Sequence, residues 1–143
     1  PRDNPDRLDD PAFAEAAEPV CADARERIDA LPGPFDGITP AERADQVEAG
    51  TRIVADLVAD LEALAPLAPA GHDADLVERW LADWRTYLDD RWRHVERLRA
   101  ATPDTPDRDL RFLVSGEAGP IDARMNAFAR LNRMDSCQTP GDV

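Results

Sequence analysis

The stretch from Asp73 to Arg99, DADLVERWLADWRTYLDDRWRHVERLR, decides the fold. Val77, Trp80, Leu81, Trp84, Leu88, Val95 and Leu98 recur in it at steps of three and four, the apolar stripe of an amphipathic helix. At 1.5 Å per residue such a helix is about 40 Å long, enough to be the spine of a domain this size. It also holds all three tryptophans (Trp80, Trp84, Trp92), the one tyrosine, Tyr87, and His94, one of two histidines. Projected as a helix, the stretch has one anomaly. Arg91 falls near the centre of the apolar stripe, with Tyr87 and His94 on the same side and Asp90 beside them.

Outward from this spine, the flanking segments also read as helices. Asp10-Pro11 is a helix start, an N-cap carboxylate followed by proline. Phe13, Ala17, Val20, Cys21, Ala24, Ile28 and Leu31 then form one stripe. Pro19 lies inside it, and because the apolar phase continues across it, a kink is expected rather than a break. Pro32-Gly33-Pro34 stops this helix, and Phe35 and Ile38 are expected to staple the following loop to the core. Thr39-Pro40-Ala41-Glu42 is a capping box that opens a second helix running to about Ala65. Its stripe is Val47, Gly50, Val54, Leu57, Val58, Leu61 and Leu64, with Gly50 expected to admit a tryptophan of the spine.

Beyond the spine, Pro103 and Pro106 punctuate the chain, and a fourth segment carries Leu110, Phe112, Leu113 and Val114. Gly116 to Pro120 breaks it, and a last helix with Ile121, Met125, Phe128 and Leu131 runs to about Asp135. No segment alternates as a strand and no period repeats. Short connections between long helices favour antiparallel neighbours, so the expected fold is all-α, an up-down antiparallel four-helix bundle with a broken fourth helix. Residues 1–10 read as an N-terminal tail or tether, 11–137 as the bundle and 138–143 as a frayed C-terminal tail.

Composition limits the function classes. The chain of 143 residues has 43% hydrophobic and 33% charged residues, a globular balance for one domain. Its net charge is -13, and all 17 basic residues are arginine. That surface repels nucleic-acid phosphates and anionic lipid, so no nucleic-acid partner is expected. No apolar run is long enough to span a bilayer, so no direct membrane insertion of this segment is expected, although it is compatible with a tether. Cys21 and Cys137 stand near opposite ends, either as one disulfide or as two buried thiols.

Candidate chemistry is sparse. Tyr87, Asp90, Arg91 and His94 would suit a polar pocket inside the bundle, with a cationic fork, a hydroxyl and a group that titrates near neutrality, fit for an anion or small carboxylate. The alternative is that Arg91 lays its stem over the core and pairs with an acidic residue on another helix. Asp90 and His94 are one turn apart, but two ligands do not make a metal site, and His72 is expected to be solvated in a turn. No haem or other cofactor is implied. Ser115 and Ser136 have no nearby histidine, and no phosphate-binding glycine loop is present, so no catalytic residues are assigned.

Phe13-Ala-Glu-Ala-Ala-Glu-Pro-Val-Cys21, then Ala24, Ile28 and Leu31-Pro32, resembles the opening of small secreted or membrane-tethered helical proteins of actinobacteria. These read Phe-x-x-x-Ala-x-x-(Ile/Val)-Cys at the start and Ala-x-x-x-Gly-Leu-x-x-Cys at the end. Ala127 to Cys137, closing on Met134-Asp135-Ser136-Cys137, is similar to that ending. Arg133 departs from it where the family usually has glycine, and 116–120 interrupts the usual last helix. The resemblance implies an extracytoplasmic location and a Cys21–Cys137 bridge, and no activity. The function expected is therefore that of a non-enzymatic extracytoplasmic helical domain, an accessory or protein-interaction module of the cell envelope with a protein partner. The alternative is a bundle binding a small ligand, anion or metal through Tyr87, Asp90, Arg91 and His94.

Overall fold

Prolines and glycines set the helix boundaries. The computed structural model describes residues 4–33, 39–116 and 119–141. Its helices are α1 (Ala12–Asp29), α2 (Pro40–Leu64), α3 (His72–Ala100) and α4 (Ile121–Leu131), with single 3-10 turns at Ala65–Leu67, Asp107–Leu110 and Asp135–Cys137. The described chain is all-α, with no strand.

The starts of α1 and α2 follow from their sequences. The Asp10 carboxylate accepts the Ala12 amide at 2.8 Å, and α1 continues without a break through Pro19. Thr39 caps α2: its hydroxyl oxygen accepts the Glu42 amide at 3.1 Å and the hydroxyl donates to the Glu42 carboxylate at 3.0 Å. The α3 helix is 29 residues, about 44 Å. His72 is its first residue rather than part of the preceding turn. The expected staple by Phe35 and Ile38 lies outside the described residues.

Residue pairs fix the helix directions. From α3 to α2, Arg99 meets Glu48, Arg91 meets Thr51 and Arg85 meets Glu62. The order reverses along one helix relative to the other, so the two are antiparallel. From α3 to α4, Asp83 meets Arg124 and Trp80 meets Met125 and Phe128, again in reverse order. The same register sets Gly50 apart from Trp80 and on the level of Trp92, whose ring lies under Arg52. Thr51 lies opposite Arg91, eleven positions or about 16 Å along α3 from Trp80. Trp80 instead packs edge-on to Phe13 and against Phe128, and its indole N–H donates to the Met125 carbonyl at 3.1 Å.

Two apolar clusters make the core. The larger joins α1, α2, α3 and α4 around Phe13, Leu61, Trp80, Trp84 and Met125. The smaller is Ala44, Val47, Val95 and Leu98, with Trp92 and Leu110 against it. Leu110, Phe112 and Val114 are half-buried while Arg111 and Leu113 face outward, so beyond its 3-10 turn this segment is extended rather than helical. The outward leucine at 113 hides the alternation in the sequence.

Cys21 and Cys137 form a disulfide with an S–S distance of 2.05 Å, both fully buried, joining α1 to the turn Asp135–Cys137. The chain reaches that turn because α4 ends at Leu131, four residues before Asp135. Arg133 takes φ 60°, the left-handed region. Met134 N–H bonds the Ala129 carbonyl at 2.7 Å and Arg133 N–H bonds the Arg130 carbonyl at 3.2 Å, the paired bonds of a Schellman stop.

Two stability outcomes are expected. The double variant Cys21→Ala/Cys137→Ala loses on the order of 4–5 kcal/mol in urea unfolding, because the bridge closes nearly the whole chain. Arg133→Gly gains about 0.5–1 kcal/mol, the relief of a left-handed L-residue less the added freedom of the unfolded chain. A loss of stability in Arg133→Gly would mean that the arginine stem contributes more than its backbone strain costs.

Candidate functional site

The polar line on α3 lies between the two apolar clusters. Tyr87, Asp90, Arg91 and His94 are each no more than 2% exposed. A polar group taken out of water must be well hydrogen-bonded, and Tyr87, Asp90 and Arg91 are. Arg91 Nε donates to the Thr51 hydroxyl at 3.0 Å, and that hydroxyl donates to the Val47 carbonyl at 2.7 Å. Arg91 Nη1 and the Tyr87 hydroxyl both donate to the Gly141 carbonyl, at 2.9 and 2.8 Å. The described partners of Arg91 thus include a hydroxyl and a main-chain carbonyl.

Asp90 turns to the other side of α3. It accepts the Ser115 amide and hydroxyl, both at 2.7 Å, and the Arg93 guanidinium. This anchors the extended segment and places Phe112, whose ring packs 5.7 Å from Tyr87 and 5.4 Å from His94. The four residues singled out in the sequence therefore lie along one stretch of α3, but the polar groups of Tyr87, Asp90 and Arg91 grip the protein's own chain, and the His94 ring packs on Phe112. None of the four cavities described is lined by them. A ligand at Tyr87 and Arg91 would have to displace Gly141.

The segment they hold is not frayed within the described residues. Arg25 donates to the Gln138 carbonyl at 2.7 Å. Asn126 accepts the Thr139 amide at 2.8 Å and donates to its hydroxyl at 3.2 Å. Residues 138–141 thus cross α1, α4 and α3 as a strap. The N-terminal segment is also seated. Asp73, 3% exposed, accepts the Asp9 and Asp10 amides at 2.9 and 2.8 Å. Asn132 accepts the Leu8 amide at 2.8 Å and donates to the Asp6 carbonyl at 3.1 Å. Sequence reading missed Asp73 and Asn132, because a backbone partner more than sixty residues away leaves no local signal.

One group could bring metal ligands together: Asp9, His72 and Asp73 offer atoms within 4.8 Å of one another. Two of the three are already engaged, His72 Nε2 lying 3.1 Å from the Arg7 carbonyl and Asp73 taking two amides. Of the two serines, Ser115 donates its hydroxyl to Asp90, and the backbone amide of Ser136 donates to Glu18. Compared with protein-family models, curated proteins and solved structures, the chain shows no match in any of the three.

Burial pushes the Tyr87 phenol above its ordinary range, and the nearby Arg91 offsets part of that rise. Below the unfolded value of about 10 the phenol's contribution to stability is fully present. It is lost as pH rises through the higher folded value. Since Tyr87 is the one tyrosine, phenolate absorbance reads it directly, and it should appear only above the ordinary range, together with loss of helical circular dichroism. Ionisation near pH 10 in fully folded protein would contradict the burial. In urea unfolding, Tyr87→Phe should cost about 1 kcal/mol for one hydrogen bond, and Arg91→Met about 2–4 kcal/mol for two charge-assisted ones.

Proposed function

We propose that the protein is a non-enzymatic, extracytoplasmic helical domain that acts by binding a protein partner, as an accessory or interaction module of the cell envelope. The observation that carries this reading is the fully buried Cys21–Cys137 bridge between α1 and the last turn. Disulfides of this kind form and persist in oxidising compartments. Among the described residues no helix is long and apolar enough to cross a membrane, which is compatible with a domain held outside it by a tether. The resemblance of the Phe13–Cys21 and Ala127–Cys137 stretches to secreted and tethered helical proteins points the same way.

The binding role is supported by how the reactive side chains are spent. Arg91 and Tyr87 secure the strap, Asp90 secures the extended segment and Asp73 the N-terminal segment. Chemistry that draws on these groups would loosen the fold. What the domain presents to its surroundings is a rigid acidic surface with two outward leucines, Leu67 and Leu113, at 44% and 58% exposure. Steering by such a field favours a partner with a basic face.

The compartment is tested by thiol trapping in the cells that make the protein. Alkylation of the acid-quenched, denatured and unreduced protein should leave both cysteines unmodified until reductant is added; two alkylated thiols would remove the compartment from the proposal. For the binding role, photo-crosslinkers at positions 67 and 113 and at other surface sites should give a discrete adduct confined to one face. Crosslinks from no position in intact cells would overturn it.

A further inference from the structure

A groove of about 350 Å³ lies between α3 and α4, with the N-terminal segment closing one side. Its volume is at the lower end for small-molecule sites. Leu76, Trp80 and Phe128 supply an apolar wall, and the two rings are 5.6 Å apart and tilted by 38°. Four charges stand around it. Two neutralise each other: Arg124 makes a two-bond fork to Asp83 at 2.8 and 2.7 Å. The other two, Asp6 and Arg79, have no side-chain hydrogen bond or ion pair among the described residues. They are of opposite sign, line one groove and do not pair with each other.

This arrangement selects among ligand types. A simple anion would meet Arg79 but also the free Asp6 carboxylate, on a chain of net charge -13. A simple cation would face Arg79. A zwitterion meets both, with its ammonium on Asp6 and its carboxylate on Arg79, and an apolar body can lie against half-buried Phe128, with the largely buried Trp80 beneath it. We propose that this groove binds a free α-amino acid with a large apolar side chain, bridged between Asp6 and Arg79. A peptide end carries the ammonium or the carboxylate but not both on one residue, so it satisfies only half of the rim. The site is separate from the polar line on α3 and does not depend on the compartment or partner proposed above.

The test is a titration with L-phenylalanine followed by the Trp80 indole N–H resonance, identified with the Trp80→Phe variant. Saturable shifts at Trp80 are expected. N-acetyl-phenylalanine, phenylalanine amide and glycine, which remove the ammonium, the carboxylate and the apolar body in turn, should each bind on the order of fivefold or more weakly. Arg79→Gln and Asp6→Asn sit at the surface and leave the fold intact by circular dichroism. Arg79→Gln should abolish the advantage of phenylalanine over its amide, and Asp6→Asn its advantage over the acetylated form. Absence of saturable shifts, equal binding of the three phenylalanine compounds, or unchanged titrations in the two variants would each overturn the proposal.

Discussion

The structure turns on two adjacent buried residues of α3, Asp90 and Arg91. They point to different sides of one helix, and each fixes something that has no regular structure of its own. Arg91 joins Thr51 of α2 to the Gly141 carbonyl, while Asp90 holds Ser115 ahead of α4. A guanidinium in a core costs several kcal/mol in lost hydration, returned only by well-placed acceptors. Removing an acceptor is therefore worse than never having had one. The consequence is positional. Apolar clusters alone tolerate sliding of α2 along α3, whereas a buried guanidinium aimed at one hydroxyl allows one register.

The same physics recurs wherever the chain leaves a helix. Backbone amides and carbonyls that are not in helices still need partners. Here helix side chains supply many of them: Asp73 for residues 9 and 10, Asn132 for Leu8, Asn126 for Thr139, Glu18 for Ser136 and Arg25 for the Gln138 carbonyl. The irregular ends are thereby seated against the bundle. Surface ion pairs do less. Arg99 and then Arg52 hold the Glu48 carboxyl below the usual carboxylate range, but the group is only half-buried and water screens the gain.

Helices were legible because periodicity and capping are local. The stripe of α3, the Thr39 cap and the stops at prolines all depend on residues within one or two turns. The line of Tyr87, Asp90, Arg91 and His94 was visible for the same reason, since projecting one helix needs no knowledge of its neighbours. What fills that line was not visible. Its partners include a carbonyl fifty residues away and a serine twenty-five residues away, and a main-chain carbonyl has no letter in the sequence. Gly50 shows the complementary limit. A small residue on an apolar stripe suggests a large neighbour, but only the α2–α3 register says which one lies opposite.

The shortest helix depends most on the rest. At 11 residues, α4 is below the length at which isolated helices persist in water. Its order comes from outside. Trp80 takes the Met125 carbonyl, Asp83 takes Arg124, and Met125 and Ala129 are fully buried in the main cluster. At its end Arg133 adopts the left-handed turn that an arginine disfavours, because beyond it Met134 must be buried and Cys137 must reach Cys21. The turn is thus imposed by tertiary contacts against local preference. With α4 so fixed, Asn126 can hold Thr139 and bring the Gly141 carbonyl over Tyr87 and Arg91. The bridge and the polar line on α3 therefore secure the two ends of one short strap.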